Sequence, residues 1–240
     1  MAHSEQSADV QPTTHRHLVL GSQSRSRRKL LHAAGITPVV LVSEIDEAQV
    51  AARHHEHHAT GRAPAGELVL ALAEAKAAEV ARRLRAGWQP PPDQFPEFVA
   101  HTAVVVAADS MVDHRGETLG KPDGPADAIA RLIDMQGSSL TLHTGHCVVD
   151  LATGQQASAS RATRVDFAAA SDAEIRAYVT SGEPLGVAGC FTLEGYAAPF
   201  IDGIAGDPSN VMGLSLPLLR RLCADLGVAW LQLVDCGPTG

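Results

Sequence analysis

From residue 17 onward the chain sets short apolar runs between longer stretches of helical periodicity, which is the pattern of an α/β protein. Residues 17–21 (HLVLG) read as a first strand. The polar loop Ser22-Gln23-Ser24-Arg25-Ser26 leads into a helix with apolar positions Leu30, Leu31 and Ala34, and Gly35 stops it as a C′ glycine does. Residues 38–42 form a second apolar run of strand type, which the acidic loop Ser43-Glu44-Ile45-Asp46-Glu47 leaves. From 65 to 86 the positions Leu68, Leu72, Ala75, Val80 and Leu84 predict an amphipathic helix, broken by the proline-rich residues 87–96. Residues 102–108 are a continuous β-branched and alanine run, as in a strand buried on both faces, and it is expected to end at Asp109. Gly116 marks a hairpin-like turn and 125–136 a helix. Runs at 140–150 and 161–168 pair as an antiparallel ribbon turning near Gly154. Ser171-Asp172-Ala173-Glu174 fits a capping box that opens a helix to Ser181. A glycine-rich stretch (182–213), a helix (216–226) and a last strand (228–234) complete the pattern. One antiparallel ribbon among alternating strands and helices predicts a mixed sheet.

Composition narrows the function classes. With 240 residues and 45% apolar content the chain can bury a sizeable core. Its net charge of −8 gives no overall attraction to a nucleic acid polymer or an anionic membrane, so any anion must be bound by a local basic cluster. No segment approaches the roughly 20 apolar residues that span a bilayer. The four cysteines have no CxxC spacing and read as reduced thiols of a cytoplasmic protein. Residues 1–16 read as a disordered tail, 17–236 as the folded domain, and 53–64 (RHHEHHATGRAP) as a flexible His-rich insertion within it. His54, His55, His57 and His58 invite a metal reading, because an i, i+4 pair chelates zinc on a helix, yet the flanking sequence argues for a loop.

Candidate chemistry gathers at three places. The loop after the first strand offers free N–H groups, a helix dipole, Ser22, Ser24 and Ser26, and the basic run Arg25, Arg27, Arg28 and Lys29. Arg27 is the better phosphate ligand of that run, Arg28 and Lys29 reading as a solvated face. Asp109, closing a strand too apolar to be exposed, is placed at a cleft. Lys121 sits between Gly120 and Pro122 in a turn that aims its ammonium. Lys76, with Glu74 and Glu79 near it, reads by itself as a surface ion-pair partner.

The stretches LVLGSQSRSRRKLLHAAGI, VSEIDE, LALAEAKA, VVAADSMV, GETLGKP, YVTSGEPLGVAGCFTLEGYAAPFI and IAGDPSNVMGLSLPLL occur in the order in which the Maf family carries similar ones. The chain resembles that family, relatives of the inosine triphosphate pyrophosphatases, from about 17 to 235. The resemblance implies two lobes on a long, twisted mixed sheet flanked by helices, with a nucleoside triphosphate in the cleft between them, and commonly a homodimer. It implies pyrophosphatase chemistry, release of a nucleoside monophosphate and pyrophosphate, with a divalent cation (Mg or Mn) as cofactor. Ser22, Ser24 and Arg27 would hold the triphosphate, with Lys76 and Lys121 on the phosphates. Glu47 and Asp109 would bind the cation and activate water, Asp109 as general base or as metal ligand. Three positions bear on base choice: Ser26, Ser110 and Glu194 stand where relatives acting on thymidine and uridine triphosphates carry Arg, Thr and Gln. A carboxylate at Glu194 accepts hydrogen bonds, whereas an amide both donates and accepts. A nucleotide-binding regulator with little turnover is the competing expectation. A Walker-type phosphoryl transferase ranks last, since GxxxxGK[ST] does not occur.

Overall fold

A computed structural model describes residues 14–58 and 61–235. The tail expected over 1–16 lies outside them except at its end. There Arg16 is anchored, its backbone N–H on the Gln232 carbonyl (2.7 Å) and its guanidinium on Asp150 and the Thr102 carbonyl.

The chain runs β1 (Leu18–Leu20), α1 (Arg25–Ala33), β2 (Val39–Val40), α2 (Glu47–Glu56), α3 (Ala65–Arg85), β3 (Val104–His114), β4 (Glu117–Leu119), α4 (Pro125–Met135), β5 (Ser139–Asp150), β6 (Gln156–Phe167), α5 (Asp172–Thr180), β7 (Ile201–Ala205), α6 (Pro208–Val211) and α7 (Leu216–Asp225). The strands form one mixed sheet of order β2-β1-β3-β5-β6-β7, with β4 paired on β3. β1 lies parallel to β2 and β3, and the other pairs are antiparallel. The predicted hairpin at Gly154, the capping box at Ser171 and the helix stop at Gly35 (φ +77°) are all present.

Two cores share the long strands. Leu18, Leu20, Val104, Val106 and Ala108 pack with α1 and α7 on one face, while Val19, Val105 and Ala107 pack under Ala73, Ala77 and Val80 of α3 on the other. Further along the same strands, Val112, Leu140, Leu142 and Val165 pack with α4, α5 and Phe191. Burying each such side chain contributes roughly 1.5–3 kcal/mol. The stretch of β3 from Asp109 to Met111 falls between the two cores.

Three expectations change. β3 does not end at Asp109 but continues to His114, because ten of its residues pair with β5, so Asp109 sits inside a strand. Residues 228–234 form a 3-10 turn over Trp230–Gln232 instead of a strand, since the hydrogen bonds of that segment are local or to Gly35 and Arg16. The loop expected over 53–64 is helical for its first residues: Asp46 caps α2 through Gln49 (2.9 Å), and the helix runs to Glu56. The glycine-rich stretch also holds β7, which the pattern concealed because Gly203 interrupts its alternation.

Candidate active site

The first loop is built outward from β1. Gly21 extends the strand by one bond to the Val106 carbonyl (2.8 Å), and a Cβ there would press on Val80 and Ala107 at 3.2 and 3.3 Å. The Ser22 hydroxyl accepts from the Ser24 N–H (3.2 Å) and from Arg27 Nη1 (2.9 Å), so its own proton remains to be donated. Ser24 caps α1, accepting from the Arg27 N–H at 3.4 Å. Such a cap contributes about 1 kcal/mol and leaves the other first-turn N–H groups of α1 for an anion. Arg27 is buried: Nε donates to the Gly213 carbonyl (2.7 Å) and Nη2 to Ser110 Oγ (3.1 Å). Burial pulls its pKa down from the ordinary value, and the carboxylates of Asp109 and Glu47 oppose that shift, which places all three within one electrostatic neighbourhood. Three of its five N–H donors are thus spent on the protein, and two remain.

Asp109 and Lys76 meet on the face of the sheet that α3 covers. Lys76 is 8% exposed, at i+4 from Leu72 and i−4 from Val80 on the buried stripe of α3, so its reading as a surface partner is corrected. Its ammonium lies 2.6 Å from Asp109 Oδ1 and 2.8 Å from Glu47 Oε1. Glu47, in the first turn of α2, has a side chain 58% exposed, whereas Asp109 is buried. Gly145 of β5, paired with Asp109 in the register, allows this meeting. A Cβ at 145 would stand 2.1 Å from the Val69 carbonyl oxygen, so α3 reaches the sheet only because that side chain is missing. Two carboxylates already converge on one cation here. Hard oxygen donors of this kind fit a magnesium or manganese ion.

Behind Arg27 stands a buried polar network. Ser110 Oγ shares a hydrogen bond with Thr144 Oγ1 (3.0 Å), which donates to the Asn210 carbonyl (3.1 Å). Asn210 Nδ2 donates to the Arg161 carbonyl (3.2 Å) and to Thr163 Oγ1 (3.1 Å). Asp207 caps α6 and accepts from the Ser215 hydroxyl, and the Ser215 N–H donates to His146 Nε2 (2.7 Å). Burial, then the positive charge of Arg27, pushes the His146 pKa down to about 4. The ring is neutral with its proton on Nδ1, facing the Thr144 carbonyl at 3.1 Å. This network holds the Gly213 turn against Arg27. Apart from Ser110, sequence reading singled out none of its members, although Asp207-Pro208-Ser209 carries the signal of a capped, proline-started helix.

The structure therefore brings Ser22, Ser24, Arg27, Glu47, Lys76, Asp109 and Ser110 together. It does not bring the side chains of Ser26, Lys121 or Glu194 into hydrogen-bonding contact with them among the described residues. Lys121 is exposed, its turn held by Arg131, whose guanidinium bonds the Gly120 carbonyl at 3.2 Å. Glu194 accepts from the Thr192 hydroxyl. A hollow of about 470 Å³ lined by Leu84, Phe98, Val99, His101 and Leu151 shares no residue with the cluster.

Fold and site together define a mixed-sheet α/β protein with an oxyanion-receptive loop facing a carboxylate–ammonium cluster, the class that handles phosphorylated ligands. The family model of Maf-like protein matches residues 17–226, and the chain belongs to that family. It is 51% identical over 222 residues to a nucleoside triphosphate pyrophosphatase of Streptomyces coelicolor, covering 92% of this chain and 96% of that one. Relatives of the same name from Salinispora tropica (48%, covering 92% and 91%) and Thermosynechococcus vestitus (44%, covering 87% and 93%) are similar along nearly their whole length.

Proposed function

We propose that this chain is a nucleoside triphosphate pyrophosphatase, a hydrolase of phosphoric anhydrides that cuts between the α- and β-phosphates. The observation that carries this reading is the convergence of Asp109 and Glu47 on Lys76 beside the Arg27-held serine loop. The names of its relatives support it. Ser22, Ser24 and the first-turn N–H groups of α1 receive the triphosphate, with the two remaining N–H groups of Arg27 behind them. Lys76 offsets phosphate charge from within, and exposed Lys121 offsets it from the rim. Glu47 and Asp109 would hold a divalent cation, Mg²⁺ or Mn²⁺, which would supply charge neutralisation for the triphosphate. Asp109 Oδ2, the oxygen that Lys76 leaves unengaged, orients a water and takes its proton. The water oxygen bonds the α-phosphorus as the bridging P–O bond breaks, and that electron pair leaves on pyrophosphate.

Ser110 acts from behind, through Arg27, while Ser26 and Glu194 are the positions at which base preference is set. Modified nucleotides are the natural targets of such a house-cleaning reaction. A homodimer in the cytoplasm completes the proposal, and the free, buried thiols of Cys147, Cys190 and Cys223 agree with a reducing compartment.

The test is a panel of canonical, methylated and modified nucleoside triphosphates, with pyrophosphate and monophosphate followed separately. Wild-type protein releases both in equal amounts with Mg²⁺ or Mn²⁺ and stops on chelation. Asp109→Asn loses roughly 10³-fold in rate while keeping its circular dichroism spectrum. Tight binding without turnover across the panel would instead identify a nucleotide-binding regulator.

A further inference from the structure

The His-rich segment folds into a feature separate from the nucleotide cluster. His54, in the last turn of α2, and His58, two residues past its end, have ring centroids 5.3 Å apart, and Glu67 faces them from the first turn of α3. One ligand atom from each of the three lies within 4.8 Å of the others. His58 Nε2 is 3.1 Å from Glu67 Oε2, and His54 Nε2 is buried with no hydrogen-bond partner. A shielded imidazole nitrogen without a partner is destabilising, and a ligand would remove that cost. The neighbouring histidines are otherwise engaged: His55 Nδ1 accepts the Ala63 N–H at 2.9 Å, and His57 Nδ1 meets the Arg53 carbonyl at 2.6 Å. The first of these bonds ties Ala63, two residues before α3, to the last turn of α2.

The surroundings show what an ion would accomplish. α2 has no fully buried residue. It is held to α3 by Val50 and Ala51 against a small cluster of Ala63, Leu68 and Leu72, and at its start by Glu47 on Lys76. Just past its carboxyl end, His58 pairs with Glu67 of α3, a partly exposed contact of the kind that contributes little. Two imidazole nitrogens and one carboxylate oxygen form a donor set suited to zinc, with a fourth position for water. Magnesium, which prefers oxygen alone, is poorly served.

We propose that His54, His58 and Glu67 bind one zinc-type divalent transition-metal ion, which clips the end of α2 to the start of α3. The ion is distinct from the catalytic cation in donor set and place, and by fixing α2 it steadies Glu47 at the helix's other end.

The experiment uses full-length, tag-free protein stripped of metal and titrated with Zn²⁺ by calorimetry and with Co²⁺ by visible absorption. The proposal expects one tight ion per chain, retained in Asp109→Asn and in His57→Ala. His54→Ala and His58→Ala each weaken it by at least about 10-fold, the loss expected when even an outer partner of a metal ligand is removed. Glu67→Gln, an isosteric change at an exposed side chain, weakens it as well and alters the Co²⁺ spectrum. Zn²⁺ at about 100 times its dissociation constant raises the melting temperature by roughly 5–10 °C in wild type but not in His58→Ala. Absence of stoichiometric binding overturns the proposal. So does binding that survives His54→Ala and His58→Ala yet disappears in Asp109→Asn, which would place the ion at the nucleotide cluster.

Discussion

At the scale of single residues, Arg27 and Lys76 show how charge is made usable inside a fold. Arg27 spends three donors on Gly213, Ser22 and Ser110, which ties the first loop, β3 and the turn before α7 into one unit. An ammonium cannot reproduce that planar fork. Arg27→Lys is therefore expected to lose at least two of these three hydrogen bonds and to lower stability by about 3 kcal/mol, measured by urea denaturation. It is also expected to reduce kcat/KM more than Ser24→Ala does; equal effects would reduce Arg27 to an ordinary capping neighbour. Lys76 was legible in a way the plain pattern overlooked. Its place in the series Leu68, Leu72, Lys76, Val80, Leu84 puts a lysine on an apolar stripe, and a buried lysine requires a buried acid. Which acid it meets could not be read, because Asp109 lies 33 residues away in sequence.

At the scale of elements, the site depends on how closely α3 lies on the sheet. Alanines 73, 77 and 81 on the helix and Gly145 on β5 remove the side chains that would hold the two apart. Gly145→Ala places a methyl group against the Val69 backbone, which cannot rotate away as a side chain can. The expected outcome is a loss of about 1–3 kcal/mol together with a fall in kcat, as Lys76 is lifted from Asp109. Unchanged stability and turnover would show that the helix shifts freely. The helices and the β5–β6 ribbon were readable because their periodicity is local. β7 and the extension of β3 beyond Asp109 were not, because strand ends are set by the partner strand, here β6 and β5.

For the whole molecule, the buried network around His146 links the site to acid stability. An unfolded histidine titrates near 6.5, whereas His146 stays neutral down to about 4 because burial and Arg27 disfavour its charge. Above 6.5 neither state is protonated and stability is unaffected. As pH falls from 6.5 toward 4 the unfolded chain takes up a proton that the folded chain refuses, and roughly 3 kcal/mol is lost. Urea midpoints at pH 7 and pH 4.5, at constant ionic strength, should differ more in wild type than in His146→Gln; parallel losses would remove His146 from that role. The sequence by itself determined the mixed α/β class, the family resemblance, and the serine- and arginine-bearing loop between the first strand and the first helix. All of these rest on contacts between residues close along the chain or on whole ordered motifs. Only the tertiary structure decided that Lys76 is buried between Asp109 and Glu47, that Arg27 faces inward, and that His54, in the last turn of a helix, and His58, just past its end, stand beside Glu67. Those are meetings of distant segments, fixed by side-chain volume and the cost of burying unpaired charge, and neither quantity has a value until the chain has folded.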